Sequence, residues 1–345
     1  MSIDHLPTKE HLAKVWHEHS DTIKVFLAQH DNYTQLSREV AYILEQQLHR
    51  AQIEVSAVSS RAKALTSFLE KLSRKRYDDP LQQVTDLAGC KVIYLYRSDR
   101  HAIEQVIERE FTILEKIDKF DEHDSERIGY DALHYLVKLS DKAQGVRYDN
   151  LRPFVCEVQV RTVLQEAWAA IDHHLVYKQE SCIPKALRRK FSTFSALFEN
   201  ADDQFDQIRR ERHNYKQEVQ ALMENPSSFL MQDLNLDTFV RFLAWRFPEN
   251  DSSYMEDSPF YAEQIQTLIS ALRRLRVSSL EQLEQLLKKT DKASQAMSER
   301  LPPDSPIDTI AHAVALSDEE FRDTMFNEAA RETIARYIDY VETPM

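Results

Sequence analysis

Glycine is almost missing from this chain. Its 345 residues hold three, Gly89, Gly129 and Gly145. That excludes the glycine-rich phosphate cradles: neither a Walker loop nor a dinucleotide fingerprint can be assembled. If the protein binds phosphates, its side chains must hold them. So few glycines are expected where the backbone requires them. Cysteine is equally scarce. Cys90, Cys156 and Cys182 form no paired framework and no metal-ligand spacing. Cys90 and Cys156 sit in apolar runs and read as buried, reduced thiols of a cytoplasmic protein. No apolar run approaches the length of a membrane span. The opening Met-Ser-Ile-Asp-His shows no basic and apolar signal region, so no membrane association is expected. Positive charge is also short. The net charge is −13, which makes the chain a poor general binder of nucleic acid. A small anion can still be held by a local cationic patch.

The 42% hydrophobic content suffices for two domains, or one enlarged one, with a proper core. From Pro226 onward there are 12 Lys and Arg against 21 Asp and Glu, a balance of −9, so the first 225 residues carry only −4. The acidic tail is a candidate neutralising domain, and a stabilising helical cap fits equally well.

Apolar spacing predicts a helical segment over residues 1–50, then a change of period at Ile53, Val55 and Val58 that suggests a short strand. Residues 61–76 return to helix. Further strands are expected at Cys90–Tyr96, Phe111–Ile117, Ala132–Leu139 and Phe154–Arg161, with a helix around Arg100–Arg109. This is an α+β pattern, a mixed β-sheet of about five strands flanked by helices over residues 51–180. A long helix is expected over 181–225. Its apolar seam, Leu187, Phe191, Phe194, Phe198, Ala201, Phe205 and Ile208, suits packing on the same chain or pairing in a homo-oligomer. Asn225-Pro226-Ser227-Ser228 reads as a linker. An all-α region, residues 226–345, follows, with a helix at Ser279–Lys289 and a proline-rich break at Leu301–Pro306.

Four constellations carry chemistry. Lys63, Ser67, Lys71 and Lys75 recur every four residues behind Arg61, so they are expected on one helical face. Such a stripe suits the phosphates of a nucleotide; an ordinary solvated lysine face would look the same. Asp86 stands at the mouth of the strand Cys90–Tyr96, a suitable place for a Mg²⁺ ligand or for a turn cap. Gly129-Tyr130 presents a ring able to stack on a base, and His134 follows inside an apolar strand. In Phe154–Arg161, Glu157, Gln159 and Arg161 share one strand face by the period of two, while Val158 and Val160 take the other. An acid, an amide and a guanidinium in a row can serve as metal ligand or base, orienter and anion clamp. Beyond them Leu164, Trp168, Ile171 and Leu175 form an apolar stripe, with Asp172 and His173 beside it.

Together these motifs resemble the synthetase domain of the RelA/SpoT family, the alarmone synthetases, over about Ile53 to Lys178. The resemblance rests on R-x-K at Arg61 and Lys63 with Ser67 and Lys71 behind it, and on D-L-A-G at Asp86. It continues through G-Y-x-x-L-H at Gly129–His134, E-x-Q-x-R-T at Glu157–Thr162, then A-W and D-H-x-x-x-x-K ending at Lys178. It implies a nucleotidyltransferase-like fold and transfer of the β,γ-pyrophosphate of ATP to the 3′-hydroxyl of GDP or GTP, with Mg²⁺. It also assigns roles. Arg61, Lys63, Ser67 and Lys71 would hold ATP phosphates, extended by Lys75 on the stripe. Asp86 and Glu157 would ligate metal, with Glu157, Gln159 and His134 in catalysis. Tyr130, His134 and Arg161 would hold the acceptor.

Two positions and one run depart from the pattern. Lys91 replaces an arginine, losing a planar fork. Asp131 replaces a basic residue after the tyrosine. The run Asp121–Glu126 offers acid where lysines are usual. Two other readings therefore stay open: a relative that pyrophosphorylates tRNA 3′ ends or makes an adenosine alarmone, and a catalytically silent regulator. His30-Asp31 is the only His–Asp pair upstream, and about fifty residues do not hold a second, hydrolytic domain.

Overall fold

The structure is a computed structural model, and it describes residues 9–118, 132–175, 185–250 and 259–341. It divides into two compact units, Met1–Ile208 and Arg209–Met345.

The first unit is α+β. Helices α1 (Lys9–Glu18) and α2 (Ser20–Arg50) precede strand β1 (Val55–Ala62). Then come α3 (Leu65–Arg74), α4 (Pro80–Gln83), β2 (Ala88–Tyr94), α5 (Arg100–Glu110), β3 (Phe111–Asp118), β4 (Leu133–Leu139), β5 (Cys156–Thr162), α6 (Val163–Leu175) and the start of α7 (Lys185–Leu222). The five strands form one mixed sheet in the order β1-β2-β5-β4-β3. Only the β2–β5 pair is parallel.

Alternation builds the two faces of this sheet. In both β2 and β5, buried and half-buried residues alternate strictly. Ala88, Cys90, Val92 and Tyr94 bury on one side with Cys156, Val158 and Val160. They join a single apolar cluster with Ile23, Phe26, Leu36, Val40, Leu44 and Leu48 of α2 and Ile103, Val106 and Ile107 of α5. Helix α2 is therefore part of the core that carries the sheet. Phe26 also stacks on Phe68 of α3, with ring centroids 4.4 Å apart. Phe68, Leu69 and Leu72 bury, which fixes the roll of α3 and sends Lys71 to its other side.

The opposite sheet face is polar. Residues paired across a ladder project to the same side. Arg61 lies opposite Gly89, and Gly89 opposite Glu157. Ser59 lies opposite Lys91, Lys91 opposite Gln159, and Gln159 opposite His134. Arg161 closes the face beside Ile93.

The second unit is helical: the end of α7, then α8 (Pro226–Leu230), α9 (Leu236–Arg246), α10 (Pro259–Arg274), α11 (Leu280–Ser298), α12 (Pro306–Ser317), α13 (Glu319–Met325) and α14 (Glu328–Ala335). Its core gathers Phe229, Phe239, Phe242, Leu243, Leu272, Leu283 and Ile310. Helix starts are capped by Asn225, Asn235, Ser279, Ser305, Asp318 and Asn327, each cap worth roughly 1 kcal/mol.

The linker reading at Asn225–Ser228 needs correction. The Asn225 side chain accepts from the Ser228 N–H, Pro226 takes the first helical position, and Phe229 is fully buried. Asn-Pro-Ser-Ser is loop-like in composition, yet it is also a helix start signal. The apolar seam on α7 is divided. Phe191 and Phe198 each stand 5.8 Å from the Trp168 ring, whereas Phe194, Phe205 and Ile208 stay about half exposed. Among the described residues, no helix is long and apolar enough to cross a membrane.

Candidate active site

The polar face of the sheet holds three carboxylates, each gripped by two donors. At one end is Asp86. Lys63 Nζ lies 2.5 Å from its Oδ2 and Lys71 Nζ 2.8 Å from its Oδ1. The local fold makes this meeting. Past the end of β1, the Lys63 N–H still donates to the Leu87 carbonyl at 2.9 Å, holding the loop against the mouth of β2. Burial on its own would raise the Asp86 carboxyl, but the hydrogen bonds and charges of Lys63 and Lys71 outweigh it and hold it below its ordinary value.

Glu157 occupies the centre. Its Oε1 lies 2.7 Å from His134 Nδ1 and 3.4 Å from Gln159 Nε2. Both contacts fall on one oxygen, leaving Oε2 without a hydrogen bond from any described residue. Burial pushes this carboxyl up, yet His134 and Gln159 outweigh burial and the nearby Asp86 charge, so Glu157 is held below its usual value. An ionised carboxylate can only accept, so His134 carries its proton on Nδ1.

Glu166 marks the far end. One of its oxygens pairs with Lys91 and the other lies 3.2 Å from Arg161 Nη1. Thr162 explains how an α6 residue arrives there. Its Oγ1 accepts from the Gln165 N–H at 3.0 Å, while Gln165 Oε1 accepts from the Thr162 N–H at 2.8 Å. This capping box starts α6 directly where β5 ends, with no loop between them, and folds the first turn back over Arg161. The same Oγ1 donates to Asp202 at 2.6 Å.

A small cavity of about 80 Å³ opens on this face, lined by Ser59, Ser60, Arg61, Asp86, Gly89, Cys90, Lys91, Glu157 and Gln159. Gly89 is part of that lining. A Cβ there would stand 3.6 Å from Arg61 Cγ, an ordinary contact. Its backbone needs no glycine; Gly145, at φ +100°, does.

Two placements from the sequence are corrected. Arg61 and Lys63 do not share the helix with Ser67 and Lys71. Arg61 lies in the edge strand β1, one residue before its end, and α3 begins only at Leu65, after Ala64, which has no capping side chain. Lys75 lies past the helix end in extended backbone, with its ammonium 5.4 Å from the Tyr77 ring centroid. The fold brings Lys63, Lys71 and Asp86 together, and His134, Gln159 and Glu157 together. Ser67 stands exposed in the first turn of α3. Gly129, Tyr130, Asp131, the acidic run 121–126, Lys178 and Cys182, and the side chains of Asp172 and His173, lie outside the described residues.

Glu166, Ser59 and Ser60 were missed. The Thr162-x-x-Gln165 spacing signals a helix start and so places Glu166 in a first turn. Nothing local to β1 marks its serines.

The donor set fits a magnesium ion. Asp86 and Glu157 are hard oxygen donors lining one cavity, close enough for the charge of Asp86 to act on Glu157. Mg²⁺ typically takes one or two carboxylates, completing its shell with water and phosphates. Among the described residues no group of three His, Cys, Asp or Glu side chains could hold a metal by itself.

A mixed sheet whose polar face carries lysines and arginines around two adjacent carboxylates defines an α+β domain with a charged site on one sheet face. Comparison with known proteins narrows the class. Residues 60–182 match the family model described as the region found in RelA/SpoT proteins, and that segment carries the RelA/SpoT-type region. The GTP pyrophosphokinase YjbM of Bacillus subtilis is 27% identical over 173 residues, 48% of this chain and 76% of that protein. The GTP pyrophosphokinase YwaC of the same organism is 23% identical over 163 residues, 46% of this chain and 75% of that protein. A crystal structure of small alarmone synthetase 1 from Bacillus subtilis, bound to its product pppGpp, aligns with TM-score 0.45 at 22% identity, over 55% of this chain and 99% of that one.

Proposed function

We propose that the protein is an ATP:nucleotide 3′-pyrophosphotransferase, a (p)ppGpp synthetase acting on GDP or GTP. One arrangement carries the reading: Lys63, in the loop after β1, and Lys71, in the last turn of α3, grip Asp86, which lines one cavity with Glu157. The names of the two curated relatives support this kind of reaction.

In this reading Arg61, Lys63, Ser67 and Lys71 receive the ATP triphosphate, aided by the free N–H groups of the first turn of α3. Lys75, just past the end of α3, extends that cationic set. Tyr130 stacks on the acceptor base, and His134 and Arg161 help place the acceptor. Glu157 faces its 3′-hydroxyl. The 3′-oxygen bonds to the β-phosphorus of ATP. The bond from that phosphorus to the oxygen shared with the α-phosphate breaks, and AMP leaves with the electron pair. The hydroxyl proton passes to Glu157, whose Oε2 is the oxygen left free. His134 and Gln159 keep that carboxylate turned. Asp86, with Glu157 beside it, would hold magnesium, which would supply charge neutralisation for the phosphates. Arg61, Lys63 and Lys71 add theirs, since such transfers rest on positioning and charge more than on covalent chemistry.

The deciding assay incubates the pure chain with ATP labelled in its β,γ-phosphates and with GDP, GTP, ADP or tRNA separately. Label in GDP or GTP with matching AMP release is expected. Label confined to tRNA or ADP overturns the acceptor assignment. Equal background turnover by wild type and Glu157→Gln with every acceptor identifies a silent regulator instead.

A further inference from the structure

The Lys91 and Arg161 end of the face looks like a phosphate clamp, and Glu166 contradicts that appearance. Lys91 and Arg161 rise from the neighbouring parallel strands β2 and β5 on the same side of the sheet. Both end on the single carboxylate of Glu166. Arg161 is held tightly there. Its side chain is 17% exposed, and its Nε is buried with no hydrogen-bond partner. Burial of Nε closes the side-on fork to an incoming anion, and Glu166 already occupies Nη1 at the end of the guanidinium. Arg61, at the other end, makes no ion pair among the described residues and is exposed.

We propose that Glu166 is a positioning and specificity residue. It fixes Lys91 and Arg161 as an internal ion triad and keeps polyphosphate away from their end of the face. The triphosphate is thus confined to the Arg61, Lys63 and Lys71 end. The Glu166 end is left for an uncharged, hydrogen-bond-donating part of a nucleotide, its ribose hydroxyls or base N–H groups, because carboxylate oxygens retain lone pairs after each ion pair. The assignment of nucleotide as substrate rests on the pyrophosphotransferase reading. The exclusion of anions does not, and it is tested without turnover.

The test is calorimetric titration of the full chain with inorganic pyrophosphate at fixed ionic strength. Lys63→Met/Lys71→Met should weaken binding, and adding Glu166→Gln to that background should restore it by about tenfold, as Lys91 and Arg161 become available. Glu166→Asp should bind as its parent does. Lys91→Met alone should leave pyrophosphate affinity within about threefold of wild type. A properly folded Glu166→Gln chain with no gain in affinity overturns the proposal. If Glu166→Gln does not fold, Lys91→Met decides: a loss of about tenfold or more makes Lys91 a direct phosphate ligand and sinks the idea. Failure of pyrophosphate transfer to any acceptor would remove the reading of the nucleotide and leave these binding results standing.

Discussion

Replacing Glu157 by glutamine removes a charge and keeps a shape. The side chain is 12% exposed, and its Oε1 receives His134 Nδ1 at 2.7 Å. A hydrogen bond to a charged group is worth about 1.5–3 kcal/mol and a neutral one about 1 kcal/mol, so the change weakens this contact by roughly 1–2 kcal/mol. Removal of the charge also relieves repulsion from Asp86, which acts in the opposite direction. The net stability change is expected within about 1–2 kcal/mol, a melting shift of a few degrees. Activity should fall much further, by about 10²–10⁴-fold, the usual contribution of a positioned general base. Initial rates of pyrophosphate transfer and a thermal melt on the same preparation separate the two effects. The pH dependence has a definite sign. The folded Glu157 carboxyl is held below its ordinary value by His134 and Gln159, so its stabilising contribution is present above the unfolded value and is lost as pH falls through the folded one. The melting difference between wild type and variant should therefore shrink on the acid side. Activity retained within about threefold would refute the catalytic role. Lost activity accompanied by a shift of ten degrees or so would make Glu157 a structural residue.

Asp86→Asn leaves Lys63 and Lys71 facing a neutral amide; stability should drop by about 1–3 kcal/mol in chemical denaturation, discounted because Lys71 is 37% exposed. Transfer activity should fall at least as steeply as for Glu157→Gln and should not recover with added magnesium. Gly89→Ala should be nearly neutral in stability, within about 0.5 kcal/mol, because its Cβ meets Arg61 at ordinary distance. Gly89→Val should displace Arg61 and raise the KM for ATP more than it lowers kcat, as steady-state kinetics would read directly. Trp168→Ala empties a site 4% exposed beside Phe191 and Phe198; a loss of about 3–5 kcal/mol is expected from denaturant melts.

The strands were readable because two of them obey a local rule. Cys156–Thr162 alternates strictly, so the period of two alone places Glu157, Gln159 and Arg161 on one face. Their partners were not readable. His134 meets Gln159 through an antiparallel register, and register is set by long-range packing. Lys91 and Glu166 are separated by 75 residues, a distance across which no periodicity speaks. The error at Arg61 and Lys63 has a specific cause. Val55–Ala62 is an edge strand whose Ser59-Ser60-Arg61 run shows no alternation, and α3 starts without a side-chain cap. A four-residue period therefore extended backward without resistance. Gly89 shows a different limit. Scarcity suggested a backbone demand, but its place is under the Arg61 side chain, a matter of neighbours rather than of φ.

The grip of Lys63 and Lys71 on Asp86 has a thermodynamic consequence. The same two ammonium groups cannot satisfy Asp86 fully and also satisfy a triphosphate. Paired with Asp86 they serve as its built-in counter-ions. When a polyphosphate draws the lysines away, Asp86 is left with vacant oxygens. Nucleotide affinity and divalent-cation affinity are therefore linked quantities, each raising the other by the same factor. Under the proposed function, polyphosphate and divalent cation are therefore expected to bind cooperatively rather than independently.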